Sequence, residues 1–220
     1  GILRLALALP DGRILHDTSV NVDIFPKIKM LSKANTAVII GKKDGKAYQL
    51  AQQLGLRRVK YGSLYLIDDM TIFARRRDEI EKAAQNGATV VFLELPVGIY
   101  EIGQSKINVD ACGMGSRHFV SRNTGHSIVA DFKPDDFKMW YNSGESCITP
   151  LLNSTFSANG WTPILTSGNS GWGGGEWEPV MAAAEQHVGK GVYRLCQVTL
   201  AGRVDDNPIA GIFARRLLNL

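Results

Sequence analysis

Two acidic positions stand where an enzyme could use them. Glu94 closes the run Phe92-Leu93-Glu94-Leu95-Pro96, and Asp68-Asp69 stops the apolar run from Leu64 to Ile67. Sheets of the α/β class gather ligands at the C-terminal ends of their strands. Two carboxyl groups there can do acid–base work or bind a cation. The competing use for all three is helix capping and acceptance of hydrogen bonds from loop amides. Acyl transfer would need Ser or Cys on a sharp strand-to-helix elbow with His in reach, and Phe92–Pro96 offers neither nucleophile.

A second group of residues suggests binding. All four tryptophans fall between Trp140 and Trp177. Trp161, Trp172 and Trp177 lie in polar, Gly- and Asn-rich surroundings, as in a platform that stacks on the C–H face of a sugar. The same rings suit loop packing or a subunit contact. Gly41-Lys42-Lys43-Asp44-Gly45-Lys46 sits between a strand and a helix but lacks the spacing and the Ser/Thr of a phosphate loop, so it reads as a polar turn. Cys112, His118 and His126 are too widely spaced for a structural zinc site. Gly113-Met114-Gly115 and Gly171 to Gly175 lack the strand-before, helix-after context of a dinucleotide loop. No cofactor and no metal are expected.

The elements that must position these groups follow from periodicity. Leu3, Leu5, Leu7 and Leu9 alternate with smaller or charged residues, Asp11-Gly12 signals a turn, and Val20, Val22 and Ile24 alternate again before Pro26. That is a β-hairpin. Thr36 to Ile40, Leu64 to Ile67 and Ala88 to Leu95 read as buried strands. Ala47, Leu50, Ala51 and Leu54 mark a first helix, and 71–86 reads as a second. Strand, helix, strand, helix, strand predicts a parallel α/β sheet. Beyond Pro96 the chain is irregular, with strands expected at 117–121, 148–152 and 162–166 and a short helix near 134–140. Ala183–Val188 and Val192–Leu200 flank Gly189-Lys190-Gly191 as a second hairpin. A last helix begins near Pro208, capped by Asp205 or Asp206, with Ile209, Ile212, Phe213, Leu217 and Leu220 as its apolar stripe.

Composition narrows the classes. The 220 residues are 45% hydrophobic and 21% charged, as in an ordinary globular domain. The net charge of +4 gathers partly in Arg75, Arg76 and Arg77, which neighbouring acids balance, and no aromatic-interleaved basic stripe points to nucleic acid. No apolar run is long enough to span a membrane as a helix. Three cysteines, Cys112, Cys147 and Cys196, exclude a disulfide framework. The first residue is Gly1, and the chain reads as a piece of a longer protein.

Three segments carry a family resemblance. Cys112-Gly-Met-Gly-Ser-Arg-His-Phe-Val-Ser-Arg-Asn-Thr-Gly-His126, Trp161-Thr-Pro-Ile-Leu-Thr-Ser-Gly168 and Gly189-Lys-Gly-Val-Tyr-Arg-Leu-Cys-Gln-Val-Thr-Leu-Ala-Gly-Arg203 resemble C-terminal regions of β-galactosidase-like proteins of glycoside hydrolase family two. The opening hairpin resembles the last strands of an immunoglobulin-like sandwich. The body resembles the flavodoxin-like, class I glutamine amidotransferase-like module, also used for trimerisation in other β-galactosidases. The resemblance implies a hairpin remnant over residues 1–30 and an α/β, mostly parallel, helix-flanked domain over 31–220. It implies a hydrolase parent, bacterial and periplasmic or secreted, whose catalytic carboxylates lie on a TIM barrel outside these residues. The expected partners are the remainder of that parent, further copies of the chain and a carbohydrate. The expected role is a non-catalytic accessory module acting in assembly or substrate access. The alternatives are a sugar-binding module using Trp161, Trp172 and Trp177, and a free-standing hydrolase using Glu94 with Asp68 or Asp69.

Overall fold

The computed structural model describes residues 1–25, 35–113, 115–169 and 178–220. Trp172, Trp177, Pro26 and the expected boundary at residue 30 lie outside them. The chain opens with β1 (Ile2–Ala8) and β2 (Ile14–Asn21), an antiparallel hairpin that forms its own two-stranded sheet. Every residue of both strands is exposed. The segment after the hairpin touches the body through Phe25, which packs on the core, and through Asp23, 2.7 Å from Lys133 Nζ.

The body is one ten-stranded mixed sheet. Its parallel half is built from β3 (Thr36–Ile40), α1 (Lys46–Gln53), β4 (Arg57–Arg58), β5 (Leu64–Ile67), α2 (Met70–Arg75), α3 (Arg77–Gln85) and β6 (Thr89–Leu93). The antiparallel half follows with β7 (Gly98–Ile102) and β8 (Ser105–Ala111). After a small separate ladder of β9 (Tyr141–Asn142) and β10 (Cys147–Ile148) come β11 (Ser154–Ala158), β12 (Thr162–Asn169), β13 (Glu178–Val188) and β14 (Gly191–Cys196), and α4 (Pro208–Leu217) ends the fold. The spatial order is β4-β3-β5-β6-β14-β13-β11-β8-β7, with β12 on β13. Strands β4, β3, β5, β6 and β14 run parallel, and every later pairing is antiparallel. Counted along the chain, the parallel half has the order 2-1-3-4-5.

Strand alternation explains the two cores. Ile39, Leu66, Val91, Leu93 and Cys196 point to one face, under α1 and α4. Val38, Ile40, Tyr65, Ile67, Val90, Phe92, Tyr193 and Leu195 point to the other, under α2 and α3. A strand covered on both faces reads as an unbroken apolar run, as β3, β5 and β6 do.

Several expectations change. The single helix over 71–86 is two, joined at Arg76, whose φ of −118° and ψ of 15° leave the helical region. The stretch 117–121 holds a 3₁₀ turn, Ser116–His118, and one bridge from Ser121 to Thr166. No helix forms near 134–140. There Lys133 N–H donates to Asp136 Oδ2 at 2.8 Å, a local bond that favours turns over helix. Neither Asp205 nor Asp206 caps α4. Asn207 holds the cap position, and its side chain instead bonds the Tyr141 backbone, accepting at 2.9 Å and donating at 2.8 Å.

Candidate functional site: a filled strand-end crevice

The direction of strand addition reverses between β3 and β5, and a crevice opens at such a point beyond the C-terminal strand ends. Here β3 ends in the turn 41–45 that leads into α1, and β5 ends at Asp68. The first-turn amides of α1 have no partner within the helix. Asp68 supplies one: Ala47 N–H donates to its Oδ2 at 2.9 Å, and the Lys46 amide also bonds it. The glycines of the turn exist to admit this carboxylate. A Cβ on Gly41 would lie 1.8 Å from Asp68 Oδ1, and one on Gly45 would lie 2.2 Å from Oδ2. The place where a phosphate would rest is therefore taken by the protein's own side chain. Burial raises the Asp68 pKa, the Ala47 amide opposes that, and the Asp69 charge adds to it. Asp69 caps α2 in turn, accepting from the amides of Thr71 at 2.9 Å and Ile72 at 3.0 Å.

Glu94 follows β6 with φ of 45°, a left-handed backbone that a non-glycine residue adopts at some cost. This is the sharp strand-end turn expected of an elbow, held by Glu94 N–H donating to the Cys196 carbonyl at 2.8 Å. Its carboxyl is buried and ion-paired with Lys46 Nζ at 2.9 Å. It also accepts from the amides of Leu200 and Ala201. Burial pushes the Glu94 pKa up, against Lys46 and those two amides. Lys46 thus joins the two acids, through its amide to Asp68 and its ammonium to Glu94.

Beside the elbow lies a small cavity of about 260 Å³. Lys46, Glu94, Asn153, Ser154 and Gln197 line it. Gln197 Nε2 donates to the Leu95 carbonyl and to Ser154 Oγ, both at 2.9 Å. No thiol is poised to attack there. Cys196 is fully buried and its pKa is driven far upward by desolvation. Cys112 is pushed up to about 11 by burial, against a hydrogen bond with Thr155.

The other sequence candidates are placed as follows. Trp161 is 6% exposed and meets Phe156 edge-on at 6.4 Å, so it presents no open stacking face. Trp140 is buried as well, its Nε1 donating to the Thr199 carbonyl at 2.7 Å. His126 Nε2 lies 3.2 Å from Glu185 Oε1, and its Nδ1 accepts from Ile128 N–H at 3.2 Å. Among the described residues no cluster of His, Cys, Asp and Glu fits a metal ion. Arg76 pairs with Glu79 at 2.6 Å, and Arg77 donates to the Glu101 carbonyl at 2.8 Å, so two of the three adjacent arginines are structural. Among the described residues no helix is long and apolar enough to cross a membrane.

Sequence reasoning found the three acids but missed Lys46, Ser154 and Gln197. Lys46 carried a signal, since it is the first helical residue after the first parallel strand. Ser154 and Gln197 arrive from β11 and from beyond β14, 43 residues apart, and only the sheet order brings them to one place.

No family profile matches the chain, and no curated protein does. Among solved structures it is similar to a β-galactosidase from Rahnella sp. R3, at 13% identity and a TM-score of 0.46 over 86% of this chain and 32% of that one. It is also similar to a β-galactosidase from Bacillus circulans sp. alkalophilus, at 13% identity and a TM-score of 0.40 over 79% of this chain and 26% of that one. The chain thus spans about a third or less of the length of those enzymes.

Proposed function

We propose that this chain is a non-catalytic accessory module of a longer carbohydrate-active hydrolase, β-galactosidase-like, acting in assembly or in access to a distant active site. The observation that carries the reading is the filled crevice. Both acids at the strand ends spend their oxygens on internal partners, and the elbow presents a carboxyl where acyl transfer needs Ser or Cys. Its family component rests on the three sequence segments quoted above. The 2-1-3-4-5 order of the parallel half supports a flavodoxin-like, amidotransferase-like body over 31–220.

The hairpin supports a missing partner. Pairing of Leu3 with Val20 and alternation along β1 put Leu3, Leu5, Leu7 and Val20 on one face, each about half exposed or more. A two-stranded hairpin does not hold such a face to water by preference. The remainder of the parent chain is the cover we assign to it, with residues 1–30 as the last strands of a neighbouring sandwich.

The test is turnover. The isolated chain, incubated with nitrophenyl galactosides, glucosides and uronides, releases no more nitrophenol than its Glu94→Gln variant. Wild-type release abolished by Glu94→Gln would overturn the reading and restore the free-standing hydrolase that pairs Glu94 with Asp68 or Asp69.

A further inference from the structure

The opposite end of the parallel half carries a different cavity. It measures about 560 Å³ and opens between the end of α3, the β7–β8 turn and the β13–β14 hairpin. That volume lies within the roughly 300–1,000 Å³ usual for small-molecule sites. Its polar walls are Glu81, Gln85, Gln104, Gln186, His187 and Tyr193. Among the described residues no Lys or Arg lines it, so the lining itself offers no cation to pair with an anion.

Four observations give these groups a ligand to serve. Tyr193 is fully buried, yet its hydroxyl finds no hydrogen-bond partner among the described residues. Burial pushes that phenol up to about 12, with the Glu81 charge adding to the shift, so it stays a neutral donor. Gln85 and Gln104 make no side-chain hydrogen bond among the described residues. Gln186 is fixed, its Nε2 donating to Ser105 Oγ at 3.0 Å. The wall at Gly103 is bare: a Cβ there would lie 3.3 Å from Tyr193 Cε2 and 3.4 Å from Gln186 Oε1. Gly103, at φ of 60°, thereby keeps open the space between the phenol ring and the carboxamide.

We propose that this cavity is a binding site for a neutral saccharide, one or two sugar rings in size. The Gln85 and Gln104 carboxamides each offer a donor and an acceptor, and Gln186, whose Nε2 serves Ser105 Oγ and the Gly160 carbonyl, offers its Oε1, a set that matches neighbouring hydroxyls on a ring. Glu81 accepts from a further hydroxyl. Val188 supplies the apolar contact that a sugar's C–H face needs. The site uses none of the tryptophans, and it stands whether or not the chain belongs to a hydrolase.

The test is amide chemical-shift mapping of the whole chain, titrated separately with galactose, glucose, xylose, lactose and inorganic phosphate. At least one sugar is expected to shift Gln85, Gly103, Gln104 and Gln186 saturably, with phosphate without effect. The Gln85→Ala/Gln104→Ala double variant alters two exposed side chains and keeps the fold, and its Kd is expected to rise about tenfold or more. Four results would each overturn the site: no shift at the cavity with any sugar, unchanged affinity in the double variant, a cavity response to phosphate, or sugar shifts confined to residues 170–177. The last would move binding to the segment that holds Trp172 and Trp177. None depends on the turnover assay, so failure of this site and failure of the accessory-module reading are separable.

Discussion

Gly41 and Asp68 are predicted to be coupled, and the coupling tests whether the crevice is filled as described. A methyl group on Gly41 would stand 1.8 Å from Asp68 Oδ1 and 2.8 Å from its Cγ. The carboxyl must then leave, abandoning the Ala47 and Lys46 amides. Gly41→Ala should therefore cost about what Asp68→Ala costs, roughly 0.5–2 kcal/mol for a lost cap. At about 2–4 °C per kcal/mol for a chain this long, each single variant should melt roughly 1–8 °C lower. In the Asp68→Ala background the clash has gone, and Gly41→Ala becomes neutral or stabilises by about 0.4–1 kcal/mol through the unfolded chain. Urea unfolding of the four proteins should yield a coupling of roughly 0.5–3 kcal/mol, against an additivity error of about 0.3–0.5. Strictly additive losses would refute the reasoning. The pH dependence gives an independent check. Burial holds Asp68 above its ordinary range, so the folded state takes up its proton first as pH falls from neutrality. Wild type gains stability over that window and Asp68→Ala does not, so the gap between them should widen on acidification.

Three other perturbations follow from the same geometry. Lys46→Met strands a buried carboxyl at Glu94. The expected loss is on the order of 1 kcal/mol at neutrality and above, less than the roughly 3–5 of a fully buried pair because Lys46 is half exposed, and it should shrink on acidification as Glu94, held above its ordinary range by burial, takes up its proton. Arg194→Met should cost about 3–5 kcal/mol by urea unfolding, since Arg194 Nε meets Glu185 at 2.8 Å with both side chains buried. Burial raises Glu185, but Arg194 and His126 together carry it below its ordinary range, so the wild-type benefit is present at neutrality and lost as pH falls through that lowered value. A gap that stays constant with pH would refute either account. Leu5→Ser with Leu7→Ser should leave the isolated chain within about 0.5 kcal/mol of wild type, because both side chains are already exposed. A large drop in Tm would show that the hairpin face is packed.

The legible parts of the fold were those where one principle dominates. Runs such as Val90 to Leu93 need cover on both faces, and they have it. The hairpin turn at Gly189 and the Pro208 helix start were equally local signals. The β7–β8 hairpin was not foreseen, although Gly103-Gln104 between alternating residues is a two-residue turn signal. It was hidden in a Gly- and Asn-rich stretch read as loop. The short helix expected near 134–140 does not form, and Phe137 and Trp140 reach the core from turns, Phe137 packing against Phe132 at 5.1 Å and Phe213 at 5.4 Å. In the buried His126–Glu185–Arg194 group, Glu185 and Arg194 face each other across the foreseen β13–β14 hairpin, whereas His126 arrives from a distant segment and Arg194 also closes the α4 end at the Leu217 carbonyl, two contacts that only the tertiary fold reveals.

Strand-end position located the acids and left both of their uses open, reaction and capping. Strand-end position alone cannot separate a reacting carboxyl from a structural one, because the same exposed amides that attract a ligand also attract a side chain. What separates them is the nearest competitor. At Gly41 and Gly45 the missing Cβ atoms make room for Asp68 itself, so the helix terminus is satisfied from within. At Gly103 the missing Cβ makes room beside a phenol that no atom of the described residues satisfies. The two ends of one sheet therefore use glycine oppositely, to close a helix terminus and to leave space beside a ring, while each end keeps a buried polar atom without a partner among the described residues, Gln197 Oε1 at one and the Tyr193 hydroxyl at the other.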